Sequence, residues 1–335
     1  MRLPSSLKKE DGGPETFHGR KEGGDAQAEL PSSGGGPAQR ALRVGGIDYL
    51  NALPLTLYLP LEGNPSFELF NHVPSVLADK LRSGELDIAL VPAVEYLARD
   101  DYGIFPDICI SSYGEVRSIR LFHRCPLGEV DVVGLDLSSR TSALLTRLFF
   151  RELWHASPRF TQLAPEDLGA FLFQGAEVQC GNERAGESLD AFLLIGDAAL
   201  TASPPHGWNC LDLGLEWTRW TGLPFVYAFW VWRGGPCPAG VVKRFQDGKS
   251  RGLERIDDIV RRASLPGGMD AASARHYLSR VIQYDFASAQ VEGCLEFFAR
   301  AWQAGVIDKP PRPLSFLSEE GGVDLRASPP GLAVS

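Results

Sequence analysis

Polar side chains suited to holding a small anion recur where the apolar runs of this 335-residue chain end. Asn51 follows the run Leu42–Ile47. An amide there can donate and accept hydrogen bonds, though the position equally suits a turn or cap residue. The segment 111–118 carries Ser111, Ser112 and Ser118 around a glycine. Such hydroxyls either surround a carboxylate or satisfy their own loop. Arg117 or Arg120 can add a bidentate partner, and strand alternation sends the two in different directions. Ser139, Thr141 and Ser142 open a predicted helix, where they either cap it, at about 1 kcal/mol apiece, or help its exposed N–H groups hold an anion. Asp197 follows the run Ala191–Ile195 and reads as a proton acceptor, a partner for a ligand hydroxyl or a loop brace. Thr221 and Gly222 form a turn that either lines a cleft or redirects the chain.

These groups need elements to position them. Leu42–Ile47 reads as a strand, with Pro54 set for the first turn of the helix that follows. Residues 74–84 predict a helix with Leu77 and Leu81 on one face and Gly84 past its end. Asp87–Val91 then reads as a strand buried on both faces. The same order returns downstream, with a strand over 130–136, a helix carrying Leu144, Leu145, Leu148 and Phe149, a helix opening at Pro165, and a buried strand over 190–195. The aromatic run 225–232 reads as a strand returning the chain from a second lobe, and the outward crossover falls near 110–122. Val291, Leu295, Phe298 and Trp302 predict one face of a last helix.

The pattern is α/β, two doubly wound lobes joined by two crossovers, with ligand expected in the cleft between them. Lobe I is expected over 41–120 plus 222–310 and lobe II over 121–221. Residues 1–40 and 311–335 are expected as tails. The net charge of −9 argues against non-specific nucleic-acid binding. No run approaches the ~20 apolar residues that span a bilayer, and none near the start has signal-peptide length, so a cytoplasmic protein is expected. The six cysteines show no CxxC or other metal-ligand spacing. Neither a GxGxxG, a Walker loop nor a GxSxG is present, and the six histidines form no cluster in sequence.

Five segments together resemble the chorismate dehydratase family of the futalosine-dependent menaquinone pathway. They are Gly46–Pro54, Pro74–Pro92, Ser111–Ser118, Leu194–Leu200 and Trp217–Val226, in the family's order within roughly residues 42 to 305. The resemblance implies a two-lobed type II periplasmic-binding-protein-like fold. It implies dehydration of chorismate to 3-[(1-carboxyvinyl)oxy]benzoate, with no cofactor and no metal. On it, the hydroxyl-rich segments would bind the two carboxylates and Asn51 would lie near the reacting ring. The proton acceptor would be the substrate's own enolpyruvyl carboxylate or Asp197, because a neutral amide has almost no basicity near neutral pH.

Two other readings fit the same pattern. One is 1,4-dihydroxy-6-naphthoate synthase of the same pathway, which relies on a catalytic histidine. The other is a non-catalytic cytoplasmic protein that binds a small anion. The partner expected is a small molecule, with neither nucleic acid nor membrane, and a homodimer stays open.

Overall fold

The computed structural model describes residues 40–136, 138–163, 188–320 and 322–325. The helix expected from Pro165 lies outside the described residues.

Two mixed sheets form the molecule. In chain order, the first is entered by β1 (Leu42–Gly46), β2 (Phe67–Asn71), β3 (Ile88–Pro92) and β4 (Tyr102–Ser112). The second holds β5 (Ile119–His123), β6 (Val132–Asp136), β7 (Arg159–Leu163), β8 (Ala191–Ile195) and β9 (Asn209–Asp212). The chain then returns to the first sheet as β10 (Phe225–Arg233), β11 (Ser315–Leu317) and β12 (Val323–Leu325). The strand orders are β12-β11-β4-β10-β3-β1-β2 and β7-β6-β8-β5-β9.

The two runs that are apolar without alternation, β3 and β8, are buried at every residue. Each lies inside its sheet, β3 between β10 and β1, and β8 between β6 and β5. A strand covered on both faces has no solvent side for polar residues. Parallel pairs β1–β2 and β6–β7 come from strand–helix–strand units, while β10 and β5 run antiparallel to β3 and β8.

The strand expected as the return crossover belongs wholly to the first sheet. β10 pairs with β3 and β4 along its length, and the chain passes between sheets in the short segments 113–118 and 222–224. Part of the expected C-terminal tail is also structured. β11 pairs parallel to β4 and β12 antiparallel to β11, because Leu314, Phe316 and Leu317 find a buried place beside β4.

Local sequence explains the helices that reach the cleft. Pro54 occupies the first turn of α1 (Leu53–Thr56). α2 (Pro74–Ser83) starts on Pro74, buries Leu77, Ala78 and Leu81, and stops at Gly84 with φ 86°. α3 (Arg140–Leu148) is capped by Ser139, whose Oγ accepts from Ser142 N–H at 3.3 Å. α4 (Gly196–Thr201) and α5 (Leu213–Thr221) follow β8 and β9. α6 (Val241–Glu254), α7 (Ile256–Arg262), α8 (Ala271–His276) and α9 (Ser288–Gln303) pack around the first sheet. α9 is turned slightly from the expected face. Leu295 and Phe298 are buried as expected, but Cys294, Phe297 and Ala301 join them, while Val291 and Trp302 stay half-buried. Gly293 is the cause, since it lets α9 close onto the Pro224 carbonyl.

Candidate functional site

The segment after β1 is held to the opposite lobe at one bond. Leu50 N–H donates to Asp197 Oδ1 at 3.0 Å, and the Asn51 carbonyl accepts from the Tyr284 hydroxyl at 2.9 Å. These fix the main chain on both sides of the Asn51 side chain. On the other lobe, Asp212 caps α5 through Leu215 N–H. It also accepts from Val116 N–H (3.0 Å) and Arg117 N–H (2.6 Å). One half-buried carboxylate therefore pins the loop that presents Ser118, and desolvation holds its pKa above the usual carboxylate range. Arg117 adopts φ 64° in that loop, a conformation that costs a non-glycine residue about 1–3 kcal/mol.

Between the lobes lies a narrow cavity of about 50 Å³. Tyr49, Asn51, Ile110 and Tyr227 line it from one lobe, and Ser118, Ser139, Ser142 and Gly196 from the other. Gly196 has φ 67°, and a Cβ there would stand 3.1 Å from the Tyr49 ring. Burial pushes the Tyr49 phenol up to about 12. The wall is thus mostly apolar, with neutral donors and one amide. Small-molecule sites measure roughly 300–1,000 Å³, so a ring-sized ligand enters this cavity only when the lobes part. Among the described residues no histidine lines it.

The expected site residues divide clearly. Asn51, Ser118, Ser139 and Ser142 come together on the cavity wall. Ser111 donates instead to the Gln283 carbonyl at 3.1 Å, and Ser112 lies 2.8 Å from the Tyr227 hydroxyl. Thr141 Oγ1 accepts from Val94 N–H at 3.2 Å. Thr221 donates to Trp217 and Gly222, at φ 72°, ends α5. These uses are structural, and for Ser111, Ser112 and Thr141 the partners lie far away in sequence. Arg120 is occupied by the Ala199 and Ala202 carbonyls. Asp197 does not line the Asn51 cavity. It borders a smaller space of about 30 Å³ with Asp48, Leu53 and Arg262. Tyr49, Tyr227 and Tyr277, all near this cleft, carried no signal in the sequence.

A wider groove of about 880 Å³ runs beside α2 and α3 and shares Ser139 with the narrow cavity. Its arginines are already engaged. Glu95, whose side chain is 1% exposed, accepts from Arg82 at 2.6 Å and from Arg140 at 2.9 Å, and Arg140 also meets Asp79 at 2.7 Å. Arg147 lies over the Phe160 ring, 4.3 Å from its centroid. The groove is therefore a poorer place for a new anion than its size implies.

A family described as menaquinone biosynthesis matches residues 42–303. The chain belongs to that family. A protein from Thermus thermophilus called chorismate dehydratase is 30% identical over 248 residues, 69% of this chain and 84% of that protein. A crystal structure of a protein from Archaeoglobus fulgidus matches with a TM-score of 0.63 at 16% identity, covering 80% of this chain and 98% of that one. The periplasmic aliphatic sulphonate binding protein from Escherichia coli matches at 0.52 and 15%, covering 89% and 96%. At such identities the two structures establish the fold, that of periplasmic binding proteins. No helix among the described residues is long and apolar enough to cross a membrane.

Two inter-lobe contacts of this menaquinone-biosynthesis family member set its response to pH and its degree of closure. Burial raises the Asp197 carboxyl to about 6, against the opposing pull of Leu50 N–H. A carboxyl raised in the fold binds more protons folded than unfolded. Its contribution is fully present below about pH 4 and is lost as pH rises through 6. Asp197→Asn keeps an acceptor for Leu50 and never ionises. It is expected to stabilise the protein at pH 7.5 by up to about 3 kcal/mol, since each tenfold change in proton affinity is worth about 1.4 kcal/mol, and to give no such gain at pH 3.5. Urea unfolding at the two pH values measures this, and an equal effect at both would refute it.

Arg140 stands on the second lobe, whereas Glu95 and Asp79 stand on the first. Arg140→Met removes both charged contacts and leaves the Arg82–Glu95 pair in place. Charge-assisted bonds of a partly exposed arginine are worth about 1–2 kcal/mol together. The expected result is a larger radius of gyration by solution scattering and roughly tenfold weaker ligand binding. Unchanged scattering and affinity would show that the pair does not hold the lobes.

Proposed function

We propose that this chain dehydrates chorismate to 3-[(1-carboxyvinyl)oxy]benzoate in menaquinone biosynthesis. The observation that carries the reading is its likeness, across most of both chains, to a protein called chorismate dehydratase. The cleft supports it through its chemistry. Apolar walls suit a carbocycle, Ser139 and Ser142 offer hydroxyls to carboxylates, and Ser118 and Asn51 face the same space.

In the reaction, the C–H bond at the ring carbon bearing the ether breaks and its electrons aromatise the ring. The neighbouring C–O bond breaks, and hydroxide departs with the released proton as water. The step is redox-neutral, and aromatisation drives it, so the protein mainly positions the ring and assists the proton. Asn51 orients the substrate. Asp197 is held by Leu50 N–H away from the Asn51 cavity, which favours the substrate's enolpyruvyl carboxylate as proton acceptor. The sister synthase relies on a catalytic histidine, and none among the described residues lines the cavity.

The test is incubation of purified protein with chorismate, following loss of the diene absorbance. An aromatic product lighter by one water supports the dehydratase. Tight binding without turnover would make the cleft a carrier site, and neither binding nor turnover would remove chorismate as ligand.

A further inference from the structure

The cleft wall holds two buried hydroxyls that the fold leaves without a partner. Tyr277 and Ser118 are each 1% exposed. Among the described residues, neither the Tyr277 hydroxyl nor Ser118 Oγ meets a partner at hydrogen-bonding geometry. Yet the phenol lies in range of both Ser118 and Asn51, two residues that line the narrow cavity. Leaving a buried hydroxyl unsatisfied is costly to the fold. Two such groups near each other and next to Asn51 form a cradle for a third oxygen.

The backbone around Tyr277 is distorted in a way that serves this placement. α8 runs into a single π turn over Tyr277–Val281, a distortion that frequently marks functional positions. Tyr277 itself lines a pocket of about 250 Å³ with Arg117, Thr201 and Ser273, and its hydroxyl reaches the inter-lobe cavity through its neighbours Ser118 and Asn51.

We infer that Tyr277, together with Ser118, donates a hydrogen bond to the ring hydroxyl that departs from the substrate beside Asn51. The inference rests on the dehydratase reading of the cleft. Burial raises the phenol well above its ordinary value, so it stays protonated and donates. As the C–O bond breaks, negative charge grows on the departing oxygen. A fixed donor therefore gains more in the transition state than in the ground state. The departing hydroxide takes the proton released from the ring, and Tyr277 ends the cycle unchanged.

Tyr102 supplies the control. Its hydroxyl is also buried and without a partner among the described residues, but on β4 its neighbours are Arg99, Glu95 and Arg82 rather than Ser118 and Asn51. Tyr277→Phe and Tyr102→Phe should both keep the unfolding midpoint of the wild type, since neither breaks a bond. With chorismate, Tyr277→Phe is expected to lower kcat about 10- to 100-fold with KM little changed, while Tyr102→Phe retains kcat. A Tyr277→Phe protein with wild-type kcat would overturn the inference. So would a kcat loss matched by a lower unfolding midpoint, which would mark a structural bond. Wild-type protein inert toward chorismate would instead remove the dehydratase reading itself, and the leaving-group role with it.

Discussion

Asn51→Ala is expected to lower kcat toward chorismate about 100- to 1,000-fold, the range seen when one preorganised hydrogen-bonding group is lost from an active site. The reasoning starts from what holds the residue. Its main chain is fixed through Leu50 N–H on Asp197 and through its own carbonyl on the Tyr284 hydroxyl. Neither bond uses the side chain, so an alanine at this position would occupy the same place in the same fold. What disappears is the amide on the cavity wall, which can accept from one substrate group while donating to another. If that amide orients the departing hydroxyl, the loss falls on kcat. If it only holds a carboxylate, KM rises and kcat stays. Asn51→Asp separates the two further, because a fixed negative charge repels a dicarboxylate and should raise KM as well. Steady-state kinetics on both variants, with circular dichroism to confirm the fold, decides between these roles. Normal turnover by the alanine variant would take Asn51 out of the mechanism.

Much of the scaffold was legible because burial leaves a plain mark on sequence. β3 and β8 stand as uninterrupted apolar runs, and α2 announces its ends with Pro74 and Gly84. Asn51 and Ser139 were visible for a related reason, as polar residues placed just after strands whose carboxyl ends face the cleft. The other expected hydroxyls show the limit of that logic. Ser111 and Gln283 pair across 172 residues of chain, and nothing near Ser111 says that its hydroxyl is already committed. Thr221 and Gly222 look like a cleft turn, yet Gly222 is the left-handed stop of α5. A glycine after a helix reads the same whether or not a ligand lies beyond it.

Tyr277 was illegible for the opposite reason. It sits in a polar helical stretch, where a tyrosine is ordinary, and only the fold carries its hydroxyl to Ser118 and Asn51. The tail fared similarly. Short apolar triplets such as Ser315–Leu317 gain a strand's stability only from an existing edge, here β4, and an edge is a tertiary object.

The position of Asn51 depends in turn on a residue with no side chain. Gly252→Ala is expected to destabilise the protein by about 2–4 kcal/mol, and to reduce turnover even where the protein remains folded. A Cβ at Gly252 would overlap the Pro54 carbonyl oxygen and stand 2.7 Å from its carbon. Both are main-chain atoms, so no rotamer change relieves the contact, and α6 must move away from α1. One turn earlier, a Cβ at Gly248 would meet Leu59 Cα at 3.2 Å, so the same helix face lies flush against residues 54–60. Alanine would gain about 1 kcal/mol of helix propensity, which the overpacking outweighs. The displaced element is the helix directly after Asn51, and a shift of about 1 Å in a positioning group can cost a hundredfold in rate. Gly128→Ala is the matched control, since the added Cβ meets only the Trp154 carbonyl at 3.9 Å. Urea unfolding of both variants should show a lowered midpoint for Gly252→Ala alone. An unchanged midpoint would mean that α1 and α6 yield to each other freely, and Asn51 would then need some other fixed support.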